Sequence, residues 1–72
     1  ELEELSAYGN CGLFHDSIRN CTKMKILNVR NNPNFKEINF LTELEELYAS
    51  GNCGLTHESI KNCTKIKILC TW

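Results

Sequence analysis

The chain repeats itself. Shifted by 42 positions, residues 1–30 fall on residues 43–72, and 21 of those 30 positions are identical. Three of the nine replacements are mild and keep the chemistry: Asp16 becomes Glu58, Arg19 becomes Lys61 and Met24 becomes Ile66. Inside each long unit runs a finer period, marked by Leu5, Leu27, Leu47 and Leu69 at spacings of 22, 20 and 22. A segment of that length is one supersecondary unit that cannot bury its own apolar face, whereas stacked copies share a continuous core. The period therefore predicts one domain over residues 1–72, built from copies at 2–23, 24–43 and 44–65 and a truncated one at 66–72. A chain of 72 residues has room for no more. At that size only about 60% of the unfolded surface is buried, so every shared contact between copies matters.

Each full copy reads apolar, two spacers, apolar, spacer, small apolar, two spacers, Asn. The positions are Leu2/Leu5/Ala7/Asn10, Met24/Leu27/Val29/Asn32 and Leu44/Leu47/Ala49/Asn52. This pattern resembles the leucine-rich repeat signature, L-x-x-L-x-L-x-x-N, over nearly the whole chain. One departure is that the next apolar residue (Leu13, Phe35, Leu55) comes three positions after the Asn, not two. The resemblance implies an α/β solenoid: a right-handed superhelix with a parallel β-sheet on its concave face and short helical or 3-10 turns on its convex face. It also implies that Asn10, Asn32 and Asn52 form a buried structural ladder. An amide suits that place because it offers donors and an acceptor to the peptide groups of a tight loop. The near-identity of the two long units points to consensus design or recent duplication. The missing initiator Met points to a processed, excised or engineered chain.

Local propensity pulls the other way. Glu1 to Leu5 is rich in helix formers, and Thr42-Glu43-Leu44-Glu45 mimics a capping box, so a helix over 43–49 is the structural alternative. The equivalent stretches Met24–Val29 and Ile66–Thr71 carry β-branched residues and read as strands. Copies must share one conformation, so strands are expected throughout, the first over residues 4–8. Side chains alternate across a strand. Leu5 and Ala7 then point inward, and Glu4, Ser6 and Tyr8 point to the concave face. The same alternation puts Ile26, Asn28 and Arg30, then Glu46, Tyr48 and Ser50, then Ile68, Cys70 and Trp72 on that face.

The returns run along the convex side. Leu13, Ile18 and Cys21 supply apolar contacts in the first. His15–Asn20 and His57–Asn62 are candidate helical turns, with Thr56 as an N-cap of the second. The middle return is two residues shorter: Asn31-Asn32-Pro33 forces extended or turn geometry before Pro33, and Phe35, Ile38 and Leu41 fill the core.

Five cysteines and two histidines raise a metal or thiol alternative, since Cys11/His15/Cys21 recurs as Cys53/His57/Cys63. The spacing matches no zinc pattern, Cys21 and Cys63 are expected in the core, and no metal or other cofactor is expected. Equivalent cysteines lie two copies apart, roughly 10 Å at the usual strand spacing, too far for a disulfide. Reduced thiols fit a cytoplasmic or recombinant protein, with Cys70 the candidate for an intermolecular bond. A Cys–His nucleophile pair would lack a third orienting group, so no enzyme is expected. The sequons at Asn20 and Asn62 have a core Cys in the middle and are discounted. A net charge of −1 argues against nucleic acid, and no apolar run is long enough to span a membrane.

What remains is a non-enzymatic interaction scaffold. The concave face carries Tyr8, Arg30, Tyr48 and Trp72, residue types enriched in binding hot spots. The absence of polar caps at Leu2 and Leu5, and at Ile66, Leu69 and Trp72, predicts self-association through those edges. Unlike edges would give a ring or filament and like edges a C2 dimer, with a homodimer favoured.

Overall fold

The computed structural model describes residues 3–9, 12, 18–51 and 53–70. Leu2, Asn10, Cys11, Leu13, His15, Asn52 and Trp72 therefore lie outside the described residues, as do most of the turn expected over His15–Asn20 and the end of the Ile66–Thr71 strand. Four strands are present: β1 (Glu4–Ser6), β2 (Ile26–Asn28), β3 (Glu46–Tyr48) and β4 (Ile68–Cys70). They form one all-parallel sheet in the order β1-β2-β3-β4. The register sets Leu5, Leu27, Leu47 and Leu69 side by side in one row. Among the described residues a 3-10 turn is seen in full at Glu58–Ile60, and Ile18 is also in 3-10 conformation.

The strands are shorter than the sequence pattern predicts. β1 stops at Ser6, not at residue 8, and β2 and β4 start two residues later than expected. Two local causes act at the two ends. At the entry, one carbonyl serves two amides: Lys25 and Ile26 both donate to Glu3 O, Glu45 and Glu46 to Lys25 O, and Lys67 and Ile68 to Glu45 O. At the exit, the third residue after each of the first three strands is left-handed. Gly9 has φ 69°, Asn31 58° and Gly51 78°. Glycine takes this conformation without penalty, and Asn is the side chain that tolerates it best. The helix alternative for 43–49 fails because Glu45 and Glu46 give their amide hydrogens to the neighbouring strand rather than back along the chain.

Below the sheet lies one core. Met24, Leu27, Val29, Phe35, Ile38, Leu41, Leu44, Leu47 and Ala49 are wholly buried, with Ala7, Ile18, Leu55 and Cys63 beside them. The three returns end alike. Cys21 N donates to Ile18 O, Leu41 N to Ile38 O and Cys63 N to Ile60 O. Met24 N to Cys21 O and Leu44 N to Leu41 O then repeat the same turn one step on.

One local expectation is corrected. Thr56 does not cap the 3-10 turn with its side chain: His57 occupies the N-cap and no side-chain cap is made. Ser59 draws the threonine away, because its Oγ accepts from Thr56 N at 3.1 Å and sits 3.2 Å from Thr56 Oγ1. That buried hydroxyl donates in turn to Lys36 O at 2.6 Å, tying the last return to the middle one.

Candidate interaction face

The leucine row points into the core, so the residues flanking it on each strand belong to the opposite face of the sheet. Register orders them in rows. Glu4, Ile26, Glu46 and Ile68 form one row, and Ser6, Asn28, Tyr48 and Cys70 the next. The centre of this face is organised by its own contacts. The Arg30 guanidinium lies over the Tyr48 ring at 4.8 Å from the centroid. The Tyr48 hydroxyl donates to Glu46 Oε1 at 2.6 Å. That bond to a carboxylate holds the proton on the phenol and pushes its pKa above the usual tyrosine value, with desolvation and the Glu46 charge adding to it. Asn28 Oδ1 accepts from Arg30 N at 3.2 Å and helps fix the start of the turn that carries the guanidinium.

Exposure is uneven across the face. Tyr8 is 62% exposed and Ile68 45%, whereas Ile26, Asn28, Arg30, Glu46, Tyr48, Ser50 and Cys70 are half-buried. Glu4 and Ser6 are exposed. The arrangement offers a ring held by a cation and a carboxylate, flanked by an open phenol and an open isoleucine. Trp72, assigned to this face from sequence, lies outside the described residues. So does Leu2, assigned to an edge. Of the other edge residues, Leu5 and Ile66 are half-buried, while Leu69 is 44% exposed although its row partners Leu27 and Leu47 are wholly covered.

Asn32 is the one ladder asparagine among the described residues. It is fully buried. Its Nδ2 donates to Ala7 O at 2.6 Å, and its Oδ1 accepts from Asn34 N at 3.0 Å. One amide thus secures its own turn and the preceding copy together. Sequence reasoning missed three further connectors. Ser59 is one. Asn39 is another, donating to Glu58 O at 2.9 Å and accepting from Asn62 N at 2.8 Å. The third is a set of ion pairs along the strand entries, Lys25–Glu45 at 3.6 Å and Lys67–Glu45 at 3.9 Å, with Lys65–Glu43 at 3.2 Å beside it. The pairing Glu3/Glu45 and Lys25/Lys67 in the internal repeat was the available signal.

Cys21, Cys53, Cys63 and Cys70 are free thiols. Cys63 is buried and its Sγ donates to Ile38 O at 3.3 Å; burial pushes its pKa up to about 11, with the Glu37 charge acting in the same direction. Cys53 Sγ donates to Ala49 O at 2.8 Å. Among the described residues no group of three or more His, Cys, Asp or Glu side chains is placed to hold a metal ion. No family model, curated protein or solved structure matches this chain.

Proposed function

We propose that the chain is a leucine-rich repeat array, a right-handed solenoid with the sheet on its concave face and the returns on its convex face. Its role is non-enzymatic: it is a scaffold for protein–protein contact. The observation that carries this reading is the Arg30–Tyr48–Glu46 arrangement on the open face of the sheet. A stacked, hydrogen-bonded ring has little rotamer freedom left to lose on binding, and Tyr and Arg are the residue types that dominate interface energetics. Exposed Tyr8 and Ile68 widen the surface around that anchor. The partner is a protein segment offering apolar or aromatic side chains to this ring.

Self-association belongs to the same reading. β1 and β4 are each paired on one side only among the described residues, and Leu69 offers apolar surface at the β4 edge. Two experiments test the proposal. Partners captured by the wild-type chain should be lost when Tyr8, Tyr48 and Trp72 are changed to Ala; binding that survives all three changes rejects the sheet face as the contact surface. Size-exclusion chromatography with light scattering at tens of micromolar should give an oligomer, and a clean monomer rejects self-association.

A further inference from the structure

Resting on the proposed reading of the sheet face, we infer that its partner is an amphipathic helix lying across the strands, with two basic side chains one heptad apart that alternate with apolar ones. The row nearest the strand entries carries this code. Register sets Glu4, Ile26, Glu46 and Ile68 side by side on the open face, so acidic and apolar side chains alternate from strand to strand. The alternation follows the 42-residue unit, in which Glu4 repeats as Glu46 and Ile26 as Ile68. Neighbouring strands lie about 4.8 Å apart, which spaces the row at about 4.8, 9.6 and 14.4 Å from its first member. On a helix, residues i, i+3, i+7 and i+10 share one face and stand at about 4.5, 10.5 and 15 Å from the first. An extended strand presents same-face side chains every ~6.8 Å and falls out of step at the second position. A polyproline helix presents them every ~9.3 Å, meeting the carboxylates but skipping the isoleucines. Of these three backbone forms the helix matches the row, with cations at i and i+7 and apolar residues at i+3 and i+10.

Charge complementarity fixes where the cations go. Glu4 is exposed and makes no ion pair among the described residues. Glu46 gives Oε1 to the Tyr48 hydroxyl, and its Oε2 takes no bond among the described residues. The nearest lysines do not cancel this charge, because Lys25 and Lys67 are drawn to Glu45 at 3.6 and 3.9 Å. A helix about 10 Å across also covers the next row, about 6.8 Å further along the strands, where Tyr48 stands. The Arg30 guanidinium over that ring repels a cation placed there. The basic side chains are therefore confined to the Glu4–Glu46 row, and the apolar flank of the helix meets Tyr48.

The test is fluorescence anisotropy at low salt with labelled peptides of about 20 residues, long enough to be helical. One carries Lys at i and i+7 and Leu at i+3 and i+10 on an Ala/Gln background. A second has the lysines moved to i+2 and i+9, and a third has two central Ala residues of the first changed to Pro. The first should bind the wild-type chain and the other two more weakly. Glu4→Lys should weaken the first peptide about 2- to 30-fold, as expected when an exposed charge pair turns from attraction to repulsion, and Tyr48→Ala should weaken it as well. If the Pro-containing peptide binds as tightly as the first, or if Tyr48→Ala weakens binding and Glu4→Lys does not, the helical inference fails while the sheet face stands. Binding that ignores both substitutions rejects the sheet face itself. No binding by any of the peptides overturns the helical inference. Binding that declines as the chain concentration rises marks a second copy as the occupant and overturns it too. Far-UV spectra check folding; should Glu4→Lys unfold the chain, Glu4→Gln makes the same test with a smaller amplitude.

Discussion

Asn32→Ala tests the connection between copies most directly. The substitution removes the donor to Ala7 O and the acceptor for Asn34 N, and it does so at a site with no access to water. Leaving a buried partner unsatisfied costs about 1–3 kcal/mol each, so a total of about 2–4 kcal/mol is expected after partial relaxation. A domain of this size has about 4–11 kcal/mol in all. At about 4–8 °C per kcal/mol the melting temperature should fall by roughly 10–30 °C. Urea titration followed by circular dichroism measures the loss, with Asn28→Ala as control. Asn28 is half-buried on the open face and makes one 3.2 Å bond to Arg30 N, so its loss should cost about 1 kcal/mol or less. Asn32→Asp adds a pH axis. Burial beside the Ala7 carbonyl would raise the carboxyl pKa in the folded state, since only the protonated form can donate there. A raised folded pKa means the stability is present below the unfolded value of about 3.9 and lost as pH rises through the folded one. Asn32→Asp should therefore close much of its gap to wild type between pH 7 and pH 4. Glu43 works in the opposite sense: its hydrogen bond and charge pairing with Lys65 hold its pKa down, so its contribution fades as pH falls below the unfolded value. That loss is common to both proteins and cancels in the difference. An Asn32→Ala protein within about 0.5 kcal/mol of wild type would refute the inter-copy role.

Leu47→Ala should cost about 2–5 kcal/mol, and Leu69→Ala, one row partner away but 44% exposed, under about 1 kcal/mol; equal losses in urea titrations would contradict the observed burial. Gly54→Ala should cost about 1–3 kcal/mol, because a Cβ there would stand 2.5 Å from Pro33 O and 3.0 Å from Phe35 O, both backbone atoms of the neighbouring return; a neutral outcome in thermal melts would show that the two returns lie farther apart. Cys63 favours the folded state as a neutral thiol with a pKa of about 11, so its contribution is complete below the unfolded value of about 8.5 and declines as pH rises from there through 11. The gap between wild type and Cys63→Ala should shrink between pH 7.5 and pH 10.5, and an unchanging gap would overturn that assignment.

The leucine register was legible because two periods coincide on it. A period of two along each strand and a period of about 21 between strands leave one alignment, Leu5-Leu27-Leu47-Leu69. The buried middle return was legible for the same reason, through Phe35, Ile38 and Leu41. Strand ends were not, because they are set by backbone geometry that side-chain pattern reports only faintly. Gly9 and Gly51 mark the left-handed turn openly, but at the same place Asn31 looks like an ordinary neighbour of Pro33. The Thr56 cap failed for a tertiary reason. Ser59 was needed to reach Lys36 O on another return, and in doing so its hydroxyl occupied the groups that a local cap would have used.

These cases share a direction. The polar side chains that order the returns serve contacts between copies, and apart from the ladder residue Asn32 they were missed from sequence: Asn32 reaches Ala7, Ser59 reaches Lys36, Asn39 reaches Glu58 and Asn62, and Glu45 reaches Lys25 and Lys67. A three-residue strand has too few backbone bonds to stand alone, so each copy must draw its order from its neighbours. Such contacts are written in residues about 20 apart, one period along the chain, where local propensity has no view of them. The duplication restores part of that view. When Glu3 repeats as Glu45 and Lys25 as Lys67, the sequence is describing a junction rather than a segment.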